Sequence, residues 1–332
     1  MYSIGLDVSK SSVNVFVPKG ALDLEIENSL KSFKSLYAKL KKLYKKEIEK
    51  LVFVFESTGS YSVLLHKFCA QKHIKVFMIN PKQARNYAKA TAERNKSDEI
   101  DARVLSGSIA IAKVREIAIP VINPLVEEIK ELMAYYKLKV KQRVQLSNHL
   151  EALDVKKSNK TLVKTIKSEL KQLQLQEDKI IEIVQNLIAK DQKLQTKYNA
   201  IISIKGIGKI AGIVLLHLFI RYPNANQKKI TSLTGLDPII EKSGTSVRKS
   251  SRISKAGAKL YRGSLFMASM VAIRHNPQMK AFYERLKNNG KHTTAAQVAV
   301  MRKLVVIAYS LYKSGEVYDQ EKYQKAIGVS QE

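Results

Sequence analysis

The first 80 residues alternate between segments typical of strands and segments typical of helices. Short apolar or alternating segments bounded by turn residues predict five strands. These segments are residues 2–8, 12–18, 21–28, 51–57 and 74–80. The fourth is a continuous apolar run, as expected of a strand covered on both faces. Between the third and fourth strands, apolar residues at helical spacing face away from lysines, which predicts an amphipathic helix.

Helical patterns fill most of the remaining first third of the chain. One helix is predicted at residues 60–73, between the last two strands. Two more are predicted at 81–91 and 98–114, after Pro81 ends the fifth strand. Three meandering strands followed by a β-α-β unit predict a mixed sheet flanked by helices.

A different pattern begins near residue 124 and lasts to about 197. Apolar residues recur every three or four positions on both sides of a break at 156–160. This period predicts two long helices that meet either as a hairpin or as an intermolecular coiled coil. We interpret this segment as a spacer or dimerisation arm without chemistry of its own.

These changes of pattern predict an α/β domain followed by mostly α-helical regions. The α/β domain is expected at residues 1–120 and the helical arm at 121–197. A helical C-terminal domain is expected at 198–315, followed by a polar tail at 316–332.

The net charge of the chain predicts the kind of partner that it binds. The 332 residues include 58 Lys and Arg against 29 Asp and Glu, a formal net charge of +29. Such an excess predicts a polyanionic partner, because cations attract phosphate and gain from counterion release. A basic ribosome-associated or chromatin-like protein without chemistry is the alternative that charge alone leaves open.

Cysteine content and hydropathy predict the compartment. A single cysteine, Cys69, excludes an internal disulfide framework and a cysteine-ligated zinc cluster. The six histidines form no metal-spaced pair. The N-terminal segment lacks the apolar core of a signal peptide, and no uninterrupted apolar run has the length of a spanning helix. We expect a soluble cytoplasmic protein with no membrane partner.

Four acidic residues stand out in this basic chain. Asp7 lies inside the first predicted strand and Glu56 ends the fourth, while Asp98 and Asp101 are three apart on a predicted helix and so share a face. An acid in a strand is costly unless a cation meets it, and carboxylates are the ligands of hard divalent cations. For the helical pair the alternative is N-capping by Ser97 and Asp98, which would complement the helix dipole.

The segments around these acids carry a family resemblance. "GLDVSK", "FESTGSY" and "NKSDEIDA" together resemble the DEDD-type insertion-sequence transposases, relatives of the Piv DNA invertase that are described as bridge-RNA-guided recombinases. The likeness extends from the start of the chain to about residue 314. It implies an N-terminal domain similar to RuvC resolvase, with an RNase H-like sheet that carries the acidic tetrad.

The resemblance also implies cofactors and partners. The tetrad would hold Mg²⁺, as two ions about 4 Å apart, with Mn²⁺ as an alternative. The partners would be DNA, comprising the ends of the element and its target, a guide RNA, and further copies of this chain joined through the helical arm. The protein would associate with the nucleoid when it is bound to DNA.

Two glycines in "IKGIGKIAG" (204–212) have the spacing of a helix-hairpin-helix turn. Gly206 and Gly208 would let backbone N–H groups approach a phosphate, with Lys205 and Lys209 beside them. An ordinary turn between two helices is the alternative, because the pattern is common.

A stretch rich in hydroxyls, glycines and cations, residues 234–266, predicts a loop that enters a helix. In the resembling family a serine before a glycine is the nucleophile, and Ser243 of "KSG" is the matching residue. Physics alone does not select it among the serines of this stretch, which also include Ser246, Ser250, Ser251 and Ser254. Ser246 is the fallback, because many relatives have a serine pair before two glycines and this chain does not. The cations expected to neutralise phosphate here are Arg248, Arg252, Lys255 and Lys259.

We therefore expect a metal-dependent DNA transposase and recombinase that forms a covalent phosphoserine intermediate through Ser243. The separation of Ser243 from the acids along the chain leaves room for a composite site between protomers. A Holliday-junction nuclease that uses the same acids and water is the alternative enzyme. A non-catalytic nucleic-acid-binding protein is the alternative outside the enzymes.

Overall fold

The computed structural model describes residues 1–57, 59–91, 98–157, 159–239, 242–243, 247–248 and 252–321, without the side chains of 242–243 and 247–248. The chain divides into two compact units, Met1–Ile122 and Asn123–Glu332. The first unit is α/β and the second is mostly helical.

The first unit is built on one mixed sheet. Its strands are β1 (Tyr2–Val8), β2 (Ser12–Val17), β3 (Leu22–Glu27), β4 (Leu51–Glu56), β5 (Lys75–Ile79) and β6 (Ile117–Ala118). They are ordered β3-β2-β1-β4-β5-β6. The central strands β1, β4 and β5 are parallel, whereas β2, β3 and β6 pair antiparallel with their neighbours. The five predicted strands are confirmed with small shifts at their ends.

Helices cover both faces of this sheet. They are α1 (Leu30–Tyr44), α2 (Val63–Gln71), α3 (Pro81–Ala90) and α4 (Asp98–Gly107). Helices α1 and α2 pack on one face, against side chains such as Leu6 and Phe53. Helices α3 and α4 contribute Ala84 and Leu105 to the core on the other face, with Val54. The alternation of β1 therefore directs its odd-numbered side chains towards α4.

One prediction for this unit was wrong in detail, and one short strand was not predicted. The helix expected at 98–114 ends at Gly107, where a 3₁₀ turn (Ser108–Ile111) follows. The Ser108 hydroxyl donates to the Leu105 carbonyl at 2.6 Å and so competes with a further helical turn. Strand β6 was not predicted, because two residues are too short to show a period.

The second unit begins with a helical hairpin. Helices α5 (Pro124–Val155) and α6 (Lys160–Ala189) pack along each other, and Arg143 Nε lies 2.7 Å from Glu177 Oε1 between them. The two long helices are confirmed, and of the two predicted arrangements the chain forms the hairpin. The base of the hairpin shares one core with the helices that follow, because Ile129 and Val184 belong to it.

Six helices form the rest of this core. They are α7 (Gln192–Ile202), α8 (Lys209–Arg221), α9 (Gln227–Leu233), α10 (Lys259–His275), α11 (Pro277–Asn288) and α12 (Thr293–Ser314). Among the described residues, α12 is the one helix whose length and apolar composition would suit a membrane span, although the sequence showed no uninterrupted run of that length. Ten of its residues are buried in the core, so packing accounts for this composition.

The loop expected before α10 contains four short strands, which corrects that prediction. They are β7 (Pro238–Ile239), β8 (Lys242–Ser243), β9 (Val247–Arg248) and β10 (Arg252–Ile253). β7 pairs with β10, and β8 pairs with β9, both antiparallel. Each strand has two residues, too few for the alternation that identifies a strand in a sequence.

Candidate functional site

The candidate site of the first unit is built on β1, where Asp7 follows an apolar run. Leu6 and Val8 are buried on the α1 side of the sheet, so Asp7 points to the α4 side. Its cross-strand partner in β2 is Asn14. The parallel register that pairs Leu6 with Phe55 sets Glu56, at the end of β4, beside Asp7 on the same face.

Helix α4 approaches this face closely because β1 has a glycine at position 5. A Cβ atom on Gly5 would lie 1.9 Å from the carbonyl oxygen of Ala102 and 2.7 Å from the backbone nitrogen of Ser106. No side chain fits at that distance, so any other residue would force the helix away from the sheet.

Polar contacts hold the same helix on either side of this approach. The Ser106 hydroxyl donates to the Ser3 carbonyl at 2.9 Å. Arg103 donates two hydrogen bonds to the Asp23 carboxylate in β3, with Nε 3.1 Å from Oδ1. The Arg103 guanidinium also lies over the Phe16 ring, and its hydrogen bonds lower the pKa of Asp23. The first turn of α4 is therefore held over the end of β1.

Three carboxylates converge as a result. Asp7, Asp98 and Asp101 each offer an oxygen, and these oxygens lie within 4.8 Å of one another. Asp7 and Asp101 are half-buried and Asp98 is exposed. Glu56 is not one of this close group, although it lies on the neighbouring strand and the same face.

The geometry of this cluster suits a small hard cation. Mg²⁺ binds oxygen at about 2.1 Å in an octahedron, so opposite ligand oxygens are about 4.2 Å apart. The separation of up to 4.8 Å is close to that span. Without a cation the carboxylates repel one another, at about 1 kcal/mol per pair at 4 Å in water and about 4 kcal/mol at the lower dielectric near a protein surface. The alternative of N-capping by Ser97 lies outside the described residues.

The second unit contains the predicted glycine turn. It joins α7 to α8, and Gly208 is the N-cap of α8. Gly206 has φ of +110°, and a Cβ on it would lie 2.5 Å from the Cβ of Ala272, so the turn requires glycine there. Nothing lies within 4 Å of a Cβ on Gly208.

A groove of about 1190 Å³ adjoins this turn within the second unit. It brings together four of the predicted nucleic-acid-binding residues: Gly206, Gly208, Lys209 and Lys259. Lys137 of α5 also lines it, and burial, followed by the charge of Lys259, lowers the pKa of Lys137. The carboxylates of Glu177, Asp178 and Glu182 line the groove as well, so the three lysines and the helix N-terminus suit an anion only at the end near the glycine turn.

The structure places the remaining predicted residues as follows. The backbone of Ser243 lies in β8, paired with Val247, and Arg248 lies in β9. Arg252 in β10, Lys255 and Lys205 are exposed. The fallback Ser246 lies outside the described residues, as do Ser250 and Ser251.

Two residues of this site were not among the predicted ones, and only the first has a signal in the sequence. Gly5 is an isolated glycine in a strand, which is itself an indication of close backbone approach. Asn14 lies on the same face as Asp7, one strand away, and lines a small cavity with Glu99 of α4. Its position depends on the strand register, which alternation alone does not determine.

Comparison with known proteins shows that the chain is similar to transposases and DNA-inverting proteins. The transposase model named DEDD Tnp IS110 matches residues 4–154, and the model described as transposase IS116/IS110/IS902 family matches residues 198–284. The chain is 28% identical to the pilin gene-inverting proteins of Moraxella bovis and Moraxella lacunata over 284 residues. This alignment covers 82% of the chain and 84% of each relative.

The chain belongs to the DEDD-type insertion-sequence transposases of the IS110/IS116/IS902 family. The matched models cover the candidate carboxylate site and the turn between α7 and α8. Its family is one of DNA-processing enzymes, so DNA is the expected substrate.

Proposed function

We propose that this chain is the metal-dependent transposase and recombinase of an insertion sequence. The observation that carries the proposal is the convergence of Asp7, Asp98 and Asp101, from a strand and a helix 91 residues apart in the sequence, within 4.8 Å. Glu56 of β4, on the neighbouring strand and the same face of the sheet, would be the fourth member of the tetrad. The sheet order, with β1 central and parallel to β4, supports an RNase H-like domain similar to RuvC.

In this proposal the four carboxylates hold Mg²⁺, as one or two ions, or Mn²⁺ in its place. When bound, the cation would offset the charge of the scissile phosphate and of the leaving oxygen. The Ser243 hydroxyl attacks the phosphorus, a Ser–O–P bond forms, and the bond to one deoxyribose oxygen breaks. The serine proton leaves to solvent and the leaving deoxyribose oxygen takes up a proton from solvent. A later attack by a DNA hydroxyl on the phosphorus, with loss of its proton, rejoins the strand and releases the serine, whose oxygen is protonated again.

Further parts of the proposal concern partners. Gly206, Gly208, Lys209 and Lys259, on one groove, would contact nucleic-acid phosphates together with Lys205, Arg248, Arg252 and Lys255. A guide RNA would choose the DNA target, and the strongly basic chain is suited to hold both nucleic acids. Copies of the chain would associate through the α5–α6 hairpin, and the protein would work in the cytoplasm on nucleoid DNA.

The metal role is tested by Asp7→Asn, which keeps the shape of the side chain and removes a ligand charge. Recombination of a plasmid that carries the element's ends and target should be lost, together with Mn²⁺ binding measured by calorimetry. Asp154→Asn is the matched control, because Asp154 is an exposed acid of the hairpin. Recombination by Asp7→Asn at the parent's rate would exclude the metal role.

The covalent step is tested by Ser243→Ala in the same assay. The parent should give a protein–DNA adduct on denaturing gels, and Ser243→Ala should give none. An adduct that persists in Ser243→Ala would transfer the role to Ser246 or another serine. Metal-dependent cleavage by the parent without any adduct would favour a Holliday-junction nuclease, in which water is the nucleophile.

A further inference from the structure

Helix α1 carries a lysine on most of its exposed positions and no acidic residue. Its five lysines, which we call the α1 lysine face, are Lys31, Lys34, Lys39, Lys41 and Lys42. At 100° per residue they fall within an arc of about 160°. The buried residues Phe33, Leu36 and Leu40 lie on the opposite side of the helix. All five lysines are exposed.

These lysines are not neutralised by neighbouring acids. Among the described residues, none of the five forms an ion pair within 4.0 Å. The nearest acids along the chain are Glu27, four residues before Lys31, and Glu47, which accepts hydrogen bonds from Tyr2 and Lys50 instead. Like charges three or four residues apart destabilise a helix by a few tenths of a kcal/mol per pair, and Lys31–Lys34 and Lys39–Lys42 are such pairs. The arrangement therefore lowers the stability of α1, which a bound polyanion would offset.

The α1 lysine face lies on the side of the sheet away from the candidate metal site. Helix α1 packs on the face that contains Leu6 and Phe53, whereas Asp7 points to the face covered by α4. The carboxylate cluster and the α1 lysine face therefore lie on opposite faces of the sheet. A phosphate chain on the α1 side does not have to approach those carboxylates, which would repel it.

We propose that the α1 lysine face is a second nucleic-acid surface, which holds the phosphate backbone of a helical RNA or DNA segment that is not the strand being cut. The lysines extend about 16 Å along the helix axis, from Lys31 to Lys42. A duplex presents one phosphate charge per about 1.7 Å of its axis, so this length faces several phosphates on either strand. Lysine binds these as a flexible point charge, without reading the base sequence.

This inference rests on the proposed function in one respect, the choice of nucleic acid as the polyanion. It separates the two tasks of the first unit. The face with Asp7 would act on the DNA being cut, and the face with α1 would hold a further nucleic acid.

The test replaces Lys31, Lys34 and Lys42 together by glutamine, which removes three charges and keeps a good helix-forming residue. The matched control replaces three exposed lysines of the same unit that are away from α1, namely Lys72, Lys75 and Lys113. Both are made in full-length Asp7→Asn protein, so that the probes are not cut. Fluorescence anisotropy then measures affinity for a DNA duplex two helical turns long and for an RNA hairpin with a stem of that length, over a range of salt.

The α1 variant should bind at least one probe about tenfold or more weakly at physiological salt, and the slope of log K against log salt should fall by about 2 to 3. The control should change affinity by no more than about threefold. Loss with the hairpin alone identifies RNA as the ligand, loss with the duplex alone identifies DNA, and loss with both identifies the shared phosphate backbone. Equal effects of the two variants, or no effect, would overturn the inference.

This outcome is separable from that of the proposed function. Binding of Mn²⁺ by the α1 variant in an otherwise unchanged chain should equal that of the parent, because α1 and the carboxylates are on different faces. If Asp7→Asn recombined DNA normally while the α1 variant lost affinity, the metal proposal would fail and the α1 surface would stand. If Asp7→Asn lost recombination while the α1 changes had no effect on binding, the metal proposal would be supported and the α1 inference would fail.

Discussion

A methyl group on Gly5 would lie 1.9 Å from the carbonyl oxygen of Ala102, which makes the contact between β1 and α4 one that only glycine permits. The carboxylate cluster depends on this contact, because α4 supplies two of its three members. The candidate site is therefore built on a backbone approach as much as on the acids themselves.

Gly5→Ala should move α4 away from the sheet and weaken Mn²⁺ binding without changing any acid. We expect a loss of metal affinity of about tenfold or more, since displaced supporting contacts cost about that much at metal sites. Calorimetry with Mn²⁺ measures it, and circular dichroism checks that the chain is folded. Gly263→Ala is the control, because a Cβ at that helical position meets nothing within 4 Å. Parental affinity in Gly5→Ala would show that α4 is not positioned by this contact.

Local patterns in the sequence predicted the strands of this site but not the convergence of its carboxylates. Alternation and apolar runs located β1 and β4, because each has at least six residues with a clear pattern. Asp7 and Asp98 are 91 residues apart, and no local pattern indicates that they meet. The family resemblance supplied that expectation, and Gly5 supplies its physical reason.

Two other features could not be predicted from the sequence, for different reasons. The strands β7 to β10 have two residues each, so they have no measurable period. Hairpin and intermolecular coiled coil share one apolar repeat, so the period could not distinguish them, whereas the contact of Arg143 with Glu177 does. The choice of Ser243 among several serines still rests on the resemblance, because their local sequences are physically alike.

The turn before α8 should tolerate alanine at one glycine and not at the other. Gly206→Ala places a side chain at φ +110° and 2.5 Å from the Cβ of Ala272, so we expect a loss of about 2 kcal/mol or more in the free energy of unfolding. Gly208→Ala has open space and a φ of −82°, so its cost should be below about 1 kcal/mol. Denaturant titration compares the two. Equal costs would mean that the strain at Gly206 is relieved by movement of α10.

The buried His217 of α8 should make the protein less stable in mild acid. Burial, helped by the charge of Arg221, lowers the pKa of His217 to about 4, and the Tyr261 hydroxyl lies 3.0 Å from its Nδ1. The unfolded chain binds this proton below pH of about 6.5 and the folded chain does not. The unfolded state thus gains protons as pH falls from about 6.5 to about 4, and stability falls by about 3 kcal/mol over that window.

His217→Asn should flatten this part of the pH profile, because asparagine does not titrate. The measurement is the difference in unfolding free energy between parent and variant at pH 7 and pH 4.5, which cancels the contribution of shared carboxylates. His149→Asn, an exposed histidine of the hairpin, should leave the profile unchanged. If the unfolding free energy of His217→Asn falls with pH as steeply as that of the parent, other groups cause the acid sensitivity.

Replacing one partner of the ion pair between α5 and α6 should destabilise the protein, whereas replacing both partners by apolar residues should not. Glu177 is buried and its carboxylate accepts from Arg143 Nε at 2.7 Å. Arg143→Met leaves that carboxylate without its cation, and we expect the unfolding free energy to fall by about 3 kcal/mol. The double variant with Glu177→Met removes both charges and should return to within about 1 kcal/mol of the parent, because apolar side chains can fill the same space. Guanidinium titrations of the parent, both single variants and the double variant give the coupling energy. If the double variant is as unstable as Arg143→Met, the hairpin depends on the shape of the arginine rather than on the compensation of a buried charge.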